Sequence, residues 1–247
     1  MAQEYTVMKD AEPFYLPGNE MGVLVQHGFT GTTQSVRGLG QFLADQGFTV
    51  CGPRLKGHGT HYEDMEGTTY QDWIESTEEG YRKLQETCSH IVVVGLSMGG
   101  TLALHLASRY PEIKGVVLVN PAIEMSHLAE VAQMEEPRFF DAIGSDIKAE
   151  GVRELAYEKV PLRSFKEIIH LTDETRKVVS AIGCPTLLFK SLEDHLVPPM
   201  NAQWIYENIA SSDKTLIELE NSYHVATLDN DKELVMAETA GFISRLL

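Results

Sequence analysis

From Met21 onward, short apolar runs rich in β-branched residues alternate with longer segments whose apolar residues recur at helical spacing. Most of the apolar runs are continuous and do not alternate with polar residues, which is typical of strands buried on both faces. An α/β fold is therefore predicted, with a mostly parallel sheet and helices on both of its faces. The predicted strands are residues 22–26, 48–52, 90–95, 115–120, 186–191 and 215–220, and the predicted helices are residues 34–46, 69–87, 98–109, 201–209 and 231–246.

The alternation stops over residues 122–182, where no strand-like run occurs. Pro137, Gly144, Gly151 and Pro161 divide this stretch into several short pieces of helical character. We interpret the stretch as a helical cap inserted into the sheet-forming core. The predicted division is a core of residues 1–121 and 183–247 and a cap of residues 122–182.

Composition and charge exclude several classes of protein. The 247-residue chain carries 20 basic and 36 acidic side chains, and its net charge of −16 would repel the phosphates of a nucleic acid. The sequence has no run of 18 apolar residues, so no membrane span is predicted. Its N-terminus lacks the basic start and apolar core of a secretory signal, which predicts a cytoplasmic protein. Three irregularly spaced cysteines (Cys51, Cys88 and Cys184) indicate neither a disulfide framework nor a metal site.

The sharpest local motif is GLSMGG, which begins at Gly95 directly after a predicted strand and directly before a predicted helix. In a G-x-S-x-G sequence the serine occupies a strained turn, and the small residues on either side let neighbouring backbone approach it. The hydroxyl of Ser97 is thereby exposed above the sheet as a candidate nucleophile. The backbone N–H of Met98, at the start of the helix, would donate to an oxyanion formed beside it.

A serine hydroxyl becomes a strong nucleophile only when a base accepts its proton and an acid orients that base. In this type of fold both groups lie on loops after later strands of the sheet. The loop after the fifth predicted strand offers Glu193 and Asp194, and Asp194 is favoured because the shorter carboxylate is the usual partner. The loop after the last predicted strand offers His224 as the base, whereas His195 is interpreted as a loop residue.

A second oxyanion donor is expected from the loop after the first predicted strand, which reads HGFTG from His27. The N–H of Phe29 is the candidate donor, with Gly28 permitting the turn and His27 packing beneath it. The alternative interpretation is an ordinary turn in which a threonine caps the following helix.

Five motifs together resemble the bacterial monoacylglycerol lipases and small carboxylesterases of the α/β-hydrolase superfamily: HGFTG, CGPRLKGHGTHYEDM, GLSMGG, EDHLVPP and NSYHVATLD. The resemblance extends over the whole chain. It implies an α/β-hydrolase fold with Ser97 as nucleophile, Asp194 as acid and His224 as base, and with the N–H groups of Phe29 and Met98 as the oxyanion hole.

The resemblance also implies features outside the triad. The cap of such lipases contributes a polar group to the glycerol hydroxyls, which makes Glu154 a candidate, although an ordinary solvated carboxylate is an equal alternative. The loop that contains His58 is similar to one that supports the site structurally, so no catalytic role is expected for this histidine. The segment before Met21 is too short for the usual N-terminal strands, and a reduced sheet of six to seven strands follows.

The predicted cap carries more apolar side chains than a peripheral insertion needs, among them Met125 and Ile143. We expect part of this surface to line an acyl groove, with Ile143 contacting the substrate, which favours esters with lipophilic acyl chains. The expected partner is a small-molecule ester, with no cofactor, metal, nucleic acid or membrane span, for a monomer or weak homodimer. General carboxylesterases of short or medium chains, thioesterases and catalytically silent ligand-binding proteins remain alternatives.

Overall fold

A computed structural model describes residues 5–247 and contains a sheet of seven strands. All six predicted strands form, with bounds shifted by one residue at most, and they run parallel to one another. The strands of this sheet are β1 (Phe14–Leu16), β2 (Met21–Gln26), β3 (Thr49–Gly52), β4 (His90–Leu96), β5 (Gly115–Val119), β8 (Thr186–Ser191) and β9 (Lys214–Leu219). Their order across the sheet is β1-β3-β2-β4-β5-β8-β9.

The seventh strand comes from the short N-terminal segment and lies at one edge of the sheet. Strand β1 pairs antiparallel with β3, with Phe14 opposite Gly52 and Leu16 opposite Val50. The α/β-hydrolase fold and the expected sheet of six to seven strands are thereby confirmed. Strand β4 lies at the centre between β2 and β5, so the residue that follows it emerges in the middle of the sheet edge.

Helices cover both faces of the sheet, as predicted. Buried residues of α1 (Gln34–Asp45) and α8 (Lys232–Ser244) pack in one core cluster, and those of α3 (Tyr70–Gln85), α4 (Met98–Arg109) and α7 (Met200–Asn208) pack in another. The strands contribute alternate side chains to the two clusters: Val23 and Val25 to the first and Leu24 to the second. The apolar pattern of the strands is continuous because both faces of the sheet are buried under helices.

The segment 122–182 differs from its predicted pattern. It contains a two-stranded antiparallel ladder, formed by β6 (Phe139–Asp141) and β7 (Lys159–Pro161), where no strand was expected. It also contains a full-length helix, α6 (Leu162–Arg176), beside the short helix α5 (Ala129–Gln133). The expectation of short helical pieces alone is wrong because three-residue strands are too short to produce a recognisable period. The boundaries of a cap at 122 and 182 stay a prediction.

A third apolar cluster joins this segment to the edge of the sheet. It combines Met125, Tyr157 and Leu171 of the segment with Trp73 and Met98 of the core. The short helix α2 (Tyr62–Glu66), which the sequence did not predict, adds Met65 to the same cluster. The segment is therefore packed against the place where strand β4 ends.

No helix in the described part of the chain, residues 5–247, is long and apolar enough to cross a membrane. The three cysteines are free thiols, of which Cys51 and Cys88 are buried. The prediction on a secretory signal concerns the N-terminal segment, whose first four residues lie outside the described residues. The cytoplasmic location and the monomeric or weakly dimeric state stay predictions.

Candidate active site

Ser97 lies in the turn between strand β4 and helix α4. Its φ of 58° and ψ of −121° place a residue other than glycine in a region that L-residues avoid. Such strain persists only where the surrounding structure imposes it, and it is characteristic of functional positions. The Ser97 N–H donates to the Val119 carbonyl at 2.9 Å, and its own carbonyl accepts from Gly100 and Ala122, so the turn is fixed on both sides.

The glycines around Ser97 are required by close backbone packing. A Cβ on Gly95 would overlap the backbone of Gly99, and a Cβ on Gly99 would overlap the carbonyl oxygen of Gln26. The turn therefore packs against the end of strand β2 without any intervening side chain. The sequence prediction that small residues flank Ser97 because backbone crowds against them agrees with this packing.

The loop after strand β2 passes directly beside Ser97. A Cβ on Gly28 would lie 3.0 Å from the Cβ of Ser97 and 3.5 Å from its Oγ. Gly28, Phe29 and Ser97 all line one cavity. Met98 begins helix α4 next to Ser97, and its buried side chain packs in the third apolar cluster. Both residues predicted to supply oxyanion donors therefore lie close to Ser97, Phe29 in the adjacent loop and Met98 next to it in the chain.

His27 holds the peptide group that contains the Phe29 N–H. Leu55 N–H donates to His27 Nε2 at 3.2 Å, so the ring proton must reside on Nδ1, which donates to the Gly28 carbonyl at 3.0 Å. The Gly28 carbonyl and the Phe29 N–H belong to the same planar peptide and point in opposite directions. The hydrogen bond from His27 that holds the Gly28 carbonyl therefore also fixes the direction of the Phe29 N–H, which points away from His27. Burial lowers the pKa of His27 to about 4, which keeps this neutral arrangement.

Asp194 and His224 form a buried hydrogen-bonded pair. Asp194 Oδ2 lies 2.7 Å from His224 Nδ1, and the two side chains are 2% and 6% exposed. The other carboxylate oxygen of Asp194 accepts the N–H groups of Leu196 and Val197 at 2.9 and 2.7 Å, which orients it. Burial by itself would lower the pKa of His224, but the charge and hydrogen bond of Asp194 raise it above its usual value.

The two other candidates on the Asp194 loop point elsewhere. The Glu193 carboxylate is 58% exposed and pairs with Lys148 Nζ at 3.0 Å. His195 Nδ1 lies 2.7 Å from an oxygen of Asp146. The preference for Asp194 over Glu193 therefore matches the contact that forms, and His195 occupies the loop position that the sequence assigned to it.

Asn120 is a supporting residue that the sequence analysis missed. It follows strand β5 with a φ of 44°, and its side-chain amide donates to the His224 carbonyl at 2.7 Å and to Ser191 Oγ at 2.9 Å. Its side-chain oxygen accepts the Ser191 N–H at 2.7 Å. Asn120 thereby ties the His224 loop to the end of β8. The available signal was a polar residue at the end of an otherwise apolar strand.

Glu154 comes from the segment 122–182 and reaches the same cavity as Ser97 and His224. Burial raises the pKa of its carboxyl group to about 7, against an opposing effect of the His224 charge. Gly31 leaves the room for it, because a Cβ there would lie 2.5 Å from Glu154 Oε1. Glu154 is partly buried, and its role as the group that binds the alcohol of a substrate stays a prediction.

Gln34 fixes the backbone on both sides of Glu154. Its amide nitrogen donates to the Arg153 carbonyl at 3.2 Å, and its oxygen accepts the Leu155 N–H at 3.0 Å. Ser145 Oγ accepts the N–H of Glu154 itself at 2.9 Å. These contacts hold residues 153–155 against the start of helix α1, a role for Gln34 that the sequence did not indicate.

The cavity that these residues share has a volume of about 660 Å³. Ser97, His224 and Glu154 provide polar groups, and most of the remaining wall is apolar. Ile143 lines this cavity, as expected of a substrate contact, but its side chain is 82% exposed and therefore lies at the rim. The apolar wall includes Phe29, Met125, Leu128, Val160, Phe165, Ile168, Leu196 and Val197.

Comparison with known proteins gives a consistent picture. The chain matches the family described as serine aminopeptidase, S33, over residues 19–150 and 145–231. It is 49% identical to a thermostable monoacylglycerol lipase of Bacillus sp. (strain H-257), in an alignment of 247 residues that covers 99% of each chain. It is 32% identical over 241 residues to a carboxylesterase of Bacillus subtilis (strain 168), which covers 95% of this chain and 97% of the other.

Solved structures agree with these sequence relationships. One, from a study of the metagenome-derived lipolytic enzymes LipS and LipT, has a TM-score of 0.94 at 44% identity and covers 97% of this chain and 100% of that chain. The monoacylglycerol lipase of Paleococcus ferrophilus, at 18% identity, has a TM-score of 0.77 over 94% of this chain and 98% of that chain, which shows a shared fold.

Proposed function

Because this chain belongs to the serine aminopeptidase S33 family, we propose that it is a serine hydrolase that cleaves carboxylic esters with lipophilic acyl chains, above all monoacylglycerols. The observation that carries the proposal is the buried Asp194–His224 pair, whose histidine lines the same cavity as Ser97. Two relatives, 49% and 32% identical over 99% and 95% of this chain, are a monoacylglycerol lipase and a carboxylesterase, both ester hydrolases by name. They favour ester cleavage over the peptide cleavage that the family description names.

In the proposed first step, Ser97 Oγ attacks the ester carbonyl while His224 Nε2 accepts its proton. Nε2 serves this role because Nδ1 is engaged by Asp194, which also stabilises the imidazolium that forms. The negative charge that develops on the carbonyl oxygen is met by the N–H groups of Phe29 and Met98. His224 then returns the proton to the departing alcohol, and an acyl group remains on Ser97.

In the second step, water attacks the acyl-enzyme. His224 removes the proton of the water, the tetrahedral intermediate collapses, and Ser97 Oγ recovers the proton as the fatty acid leaves. The segment 122–182 covers the acyl group and limits access of bulk water, which strengthens the electrostatic interactions of the oxyanion.

The shape and polarity of the cavity support a substrate with one acyl chain and a polar alcohol. A volume of about 660 Å³ falls within the range of small-molecule sites, roughly 300 to 1,000 Å³. The apolar wall suits the acyl chain, since each buried CH₂ contributes about 0.8 kcal/mol before losses. Gln34 and Ser145 hold the backbone at Arg153 and Glu154, which supports a role of the Glu154 carboxylate in accepting hydrogen bonds from alcohol hydroxyls.

A rate comparison across 1-monoacylglycerols, methyl esters and triglycerides of matched chain length tests the substrate class. We expect the highest kcat/KM for the monoacylglycerol, because only this substrate offers free hydroxyls to Glu154. Equal rates on methyl esters would identify a general carboxylesterase, the function that the Bacillus subtilis relative favours. No hydrolysis of any ester or thioester would contradict the proposal and point to a ligand-binding protein.

Replacing Ser97 tests the nucleophile. The Ser97→Ala variant is expected to lose kcat on p-nitrophenyl butyrate by a factor on the order of 10⁴ or more, since no acyl-enzyme can form. A fluorophosphonate probe should label the wild-type chain once, at Ser97. The matched control is Ser244→Ala, which removes an exposed hydroxyl at the end of helix α8 and should leave rate and labelling unchanged. Near-normal turnover by Ser97→Ala would refute the assignment.

A further inference from the structure

Asp146 lies in the connection between strands β6 and β7 and contacts both loops that carry the Asp194–His224 pair. Its Oδ2 accepts the backbone N–H of His195 at 3.0 Å and that of His224 at 3.2 Å. Its own backbone carbonyl accepts the N–H of Val225 at 3.1 Å. One residue of the segment 122–182 therefore binds the position after Asp194 and the position of His224 at the same time.

The carboxylate of Asp146 is mostly shielded from water, whereas the His195 ring that it contacts is 55% exposed. The carboxylate is 9% exposed, and its second oxygen lies 2.7 Å from His195 Nδ1. Hydrogen bonds from N–H groups to an ionised carboxylate are about twice as strong as those between neutral groups, and exclusion of water preserves that strength. The hydrogen bonds of Asp146 to the His195 and His224 N–H groups therefore connect the two loops strongly.

Asp229 holds the neighbouring backbone in place. Its carboxylate accepts the N–H groups of Lys148 and Ala149 at 2.7 and 2.8 Å and that of Tyr223 at 2.8 Å. The chain just beyond Asp146 is thus anchored to the residue that precedes His224. This anchor leaves Asp146 little freedom to withdraw from the two loops.

We propose that Asp146 is a positioning residue that sets the separation of the Asp194 loop from the His224 loop. The inference rests on the proposed function, in which these two side chains act as acid and base. The loops follow different strands, β8 and β9, so the 2.7 Å contact between Asp194 and His224 requires that they be held together. Asp146 holds the two loops together because its Oδ2 accepts one backbone N–H from each of them.

The segment 122–182 then has a second role besides covering the cavity. It supplies the carboxylate that aligns the acid and base, so docking of the segment and alignment of His224 are linked. A displacement of about 1 Å in a reacting group can reduce a rate by about a hundredfold. We therefore expect Asp146 to affect kcat more than KM.

Three variants of Asp146 separate positioning from other roles. Asp146→Ala removes both acceptors and should lower kcat on p-nitrophenyl butyrate about tenfold to a hundredfold, with KM within about twofold. Asp146→Asn keeps one oxygen for the two N–H groups and should stay within about threefold of wild-type kcat. Asp146→Glu keeps the charge but moves the oxygens by one methylene, so it should lose kcat even though it can pair with His195.

Lys148→Gln is the matched control. It breaks the ion pair between Lys148 and Glu193, which joins the same segment to the same loop, but it leaves every backbone N–H contact in place. Its kcat should equal that of the wild type. Thermal unfolding of each variant establishes that the compared chains are folded. If Asp146→Ala does not fold, the comparison of kcat between Asp146→Asn and Asp146→Glu tests the positioning role.

A measurement that does not depend on ester hydrolysis completes the test. The proton between His224 Nδ1 and Asp194 gives a downfield NMR resonance, assigned by its absence from His224→Gln. It should persist in Asp146→Asn and Lys148→Gln and be lost or exchange faster in Asp146→Ala and Asp146→Glu.

Wild-type kcat and an intact resonance in Asp146→Ala would overturn the proposal, as would equal losses in Asp146→Asn and Asp146→Ala. If the wild type hydrolysed no ester, the proposed function would fail while the resonance would still decide the role of Asp146.

Discussion

At the scale of single residues, three titratable side chains in or near the cavity have pKa values shifted in different directions because their surroundings differ. Burial lowers the pKa of His27 to about 4 and keeps it neutral, as its two hydrogen bonds require. His224 is also buried, but the adjacent Asp194 carboxylate raises its pKa. Burial raises the pKa of Glu154 to about 7. The surroundings of the two histidines, more than their residue type, therefore make His27 a structural residue and His224 a candidate base.

The raised pKa of Glu154 predicts a dependence of stability on pH. Its carboxyl group has an ordinary pKa of 4.5 in the unfolded chain and about 7 in the folded one. The folded state therefore disfavours the charged form, and wild-type stability decreases as the pH rises from below 4.5 through 7. Glu154→Gln removes this effect and should exceed the wild type in free energy of unfolding by about 1 to 3 kcal/mol at pH 8.

Denaturant unfolding of both chains at pH 4.5 and pH 8 measures the effect. The difference between them should be small at pH 4.5, where the carboxyl group is protonated in the folded state and only half ionised in the unfolded one, and it should increase at pH 8. A difference that stays constant between the two pH values would contradict the raised pKa of Glu154.

The sequence identified the candidate catalytic residues but could not predict all of the residues that contact them. GLSMGG and the loops after the last two strands identified Ser97, Asp194 and His224 because local order along the chain defines those positions. Asn120 and Asp146 were missed, because each acts through residues 49 to 104 positions away, and no local pattern records such a contact.

At the scale of elements, the turn between β4 and α4 depends on backbone-to-backbone contact. Gly99 lies against the carbonyl of Gln26 at the end of β2, with no space for a Cβ. The contact brings the loop after β2 and Ser97 together, since both follow strands that are neighbours in the sheet. The packing of one small residue therefore affects both stability and site geometry.

Gly99→Ala is expected to lower the free energy of unfolding by about 1 to 3 kcal/mol, because the added Cβ must displace the backbone of β2. The measurement is urea unfolding monitored by circular dichroism. The matched control is Gly241→Ala in helix α8, where nothing lies within 4 Å of the added Cβ.

The control should be neutral or stabilising by up to about 1 kcal/mol, since alanine favours the helix. If Gly99→Ala were as stable as Gly241→Ala, the close packing of the turn would not be a source of stability.

The elements of the segment 122–182 were the least predictable. Strands β6 and β7 have three residues each, and their pairing partner lies about 20 residues away. Their formation depends on tertiary contacts, such as the edge contact of Phe140 with Phe165 of α6. The longer core elements were predicted because each extends over enough residues for its period to be recognised.

At the scale of the whole molecule, the net charge of −16 acts against the compact state through repulsion among acidic groups. Several exposed ion pairs, such as Arg245 with Asp213, offset part of this repulsion locally. Exposed pairs of this kind contribute little each, about 0 to 1 kcal/mol. The excess of acidic groups therefore still dominates the electrostatic free energy at neutral pH.

Salt should stabilise the protein at neutral pH. Raising NaCl from 10 to 150 mM shortens the screening length from about 30 to about 8 Å and weakens the repulsion between distant carboxylates. We expect Tm at pH 7.5 to rise by about 2 to 4 °C, which corresponds to about 1 kcal/mol. The same scan near pH 5, close to the isoelectric point of about 4.9, should show little change. A fall in Tm with salt at pH 7.5 would contradict a dominant repulsion.

The sequence by itself determined the order of the core strands and helices, the strained turn at Ser97 and the loops that carry Asp194 and His224. These features are local, because short stretches of sequence contain the periodicity of each element, the glycine spacing around Ser97 and the succession of strands along the chain. Only the tertiary structure decided how Asp146 bridges the two loops and how Gln34, 120 residues away, fixes the backbone around Glu154. These contacts arise when distant segments pack together, and burial then determines their strength and the protonation of the groups they hold.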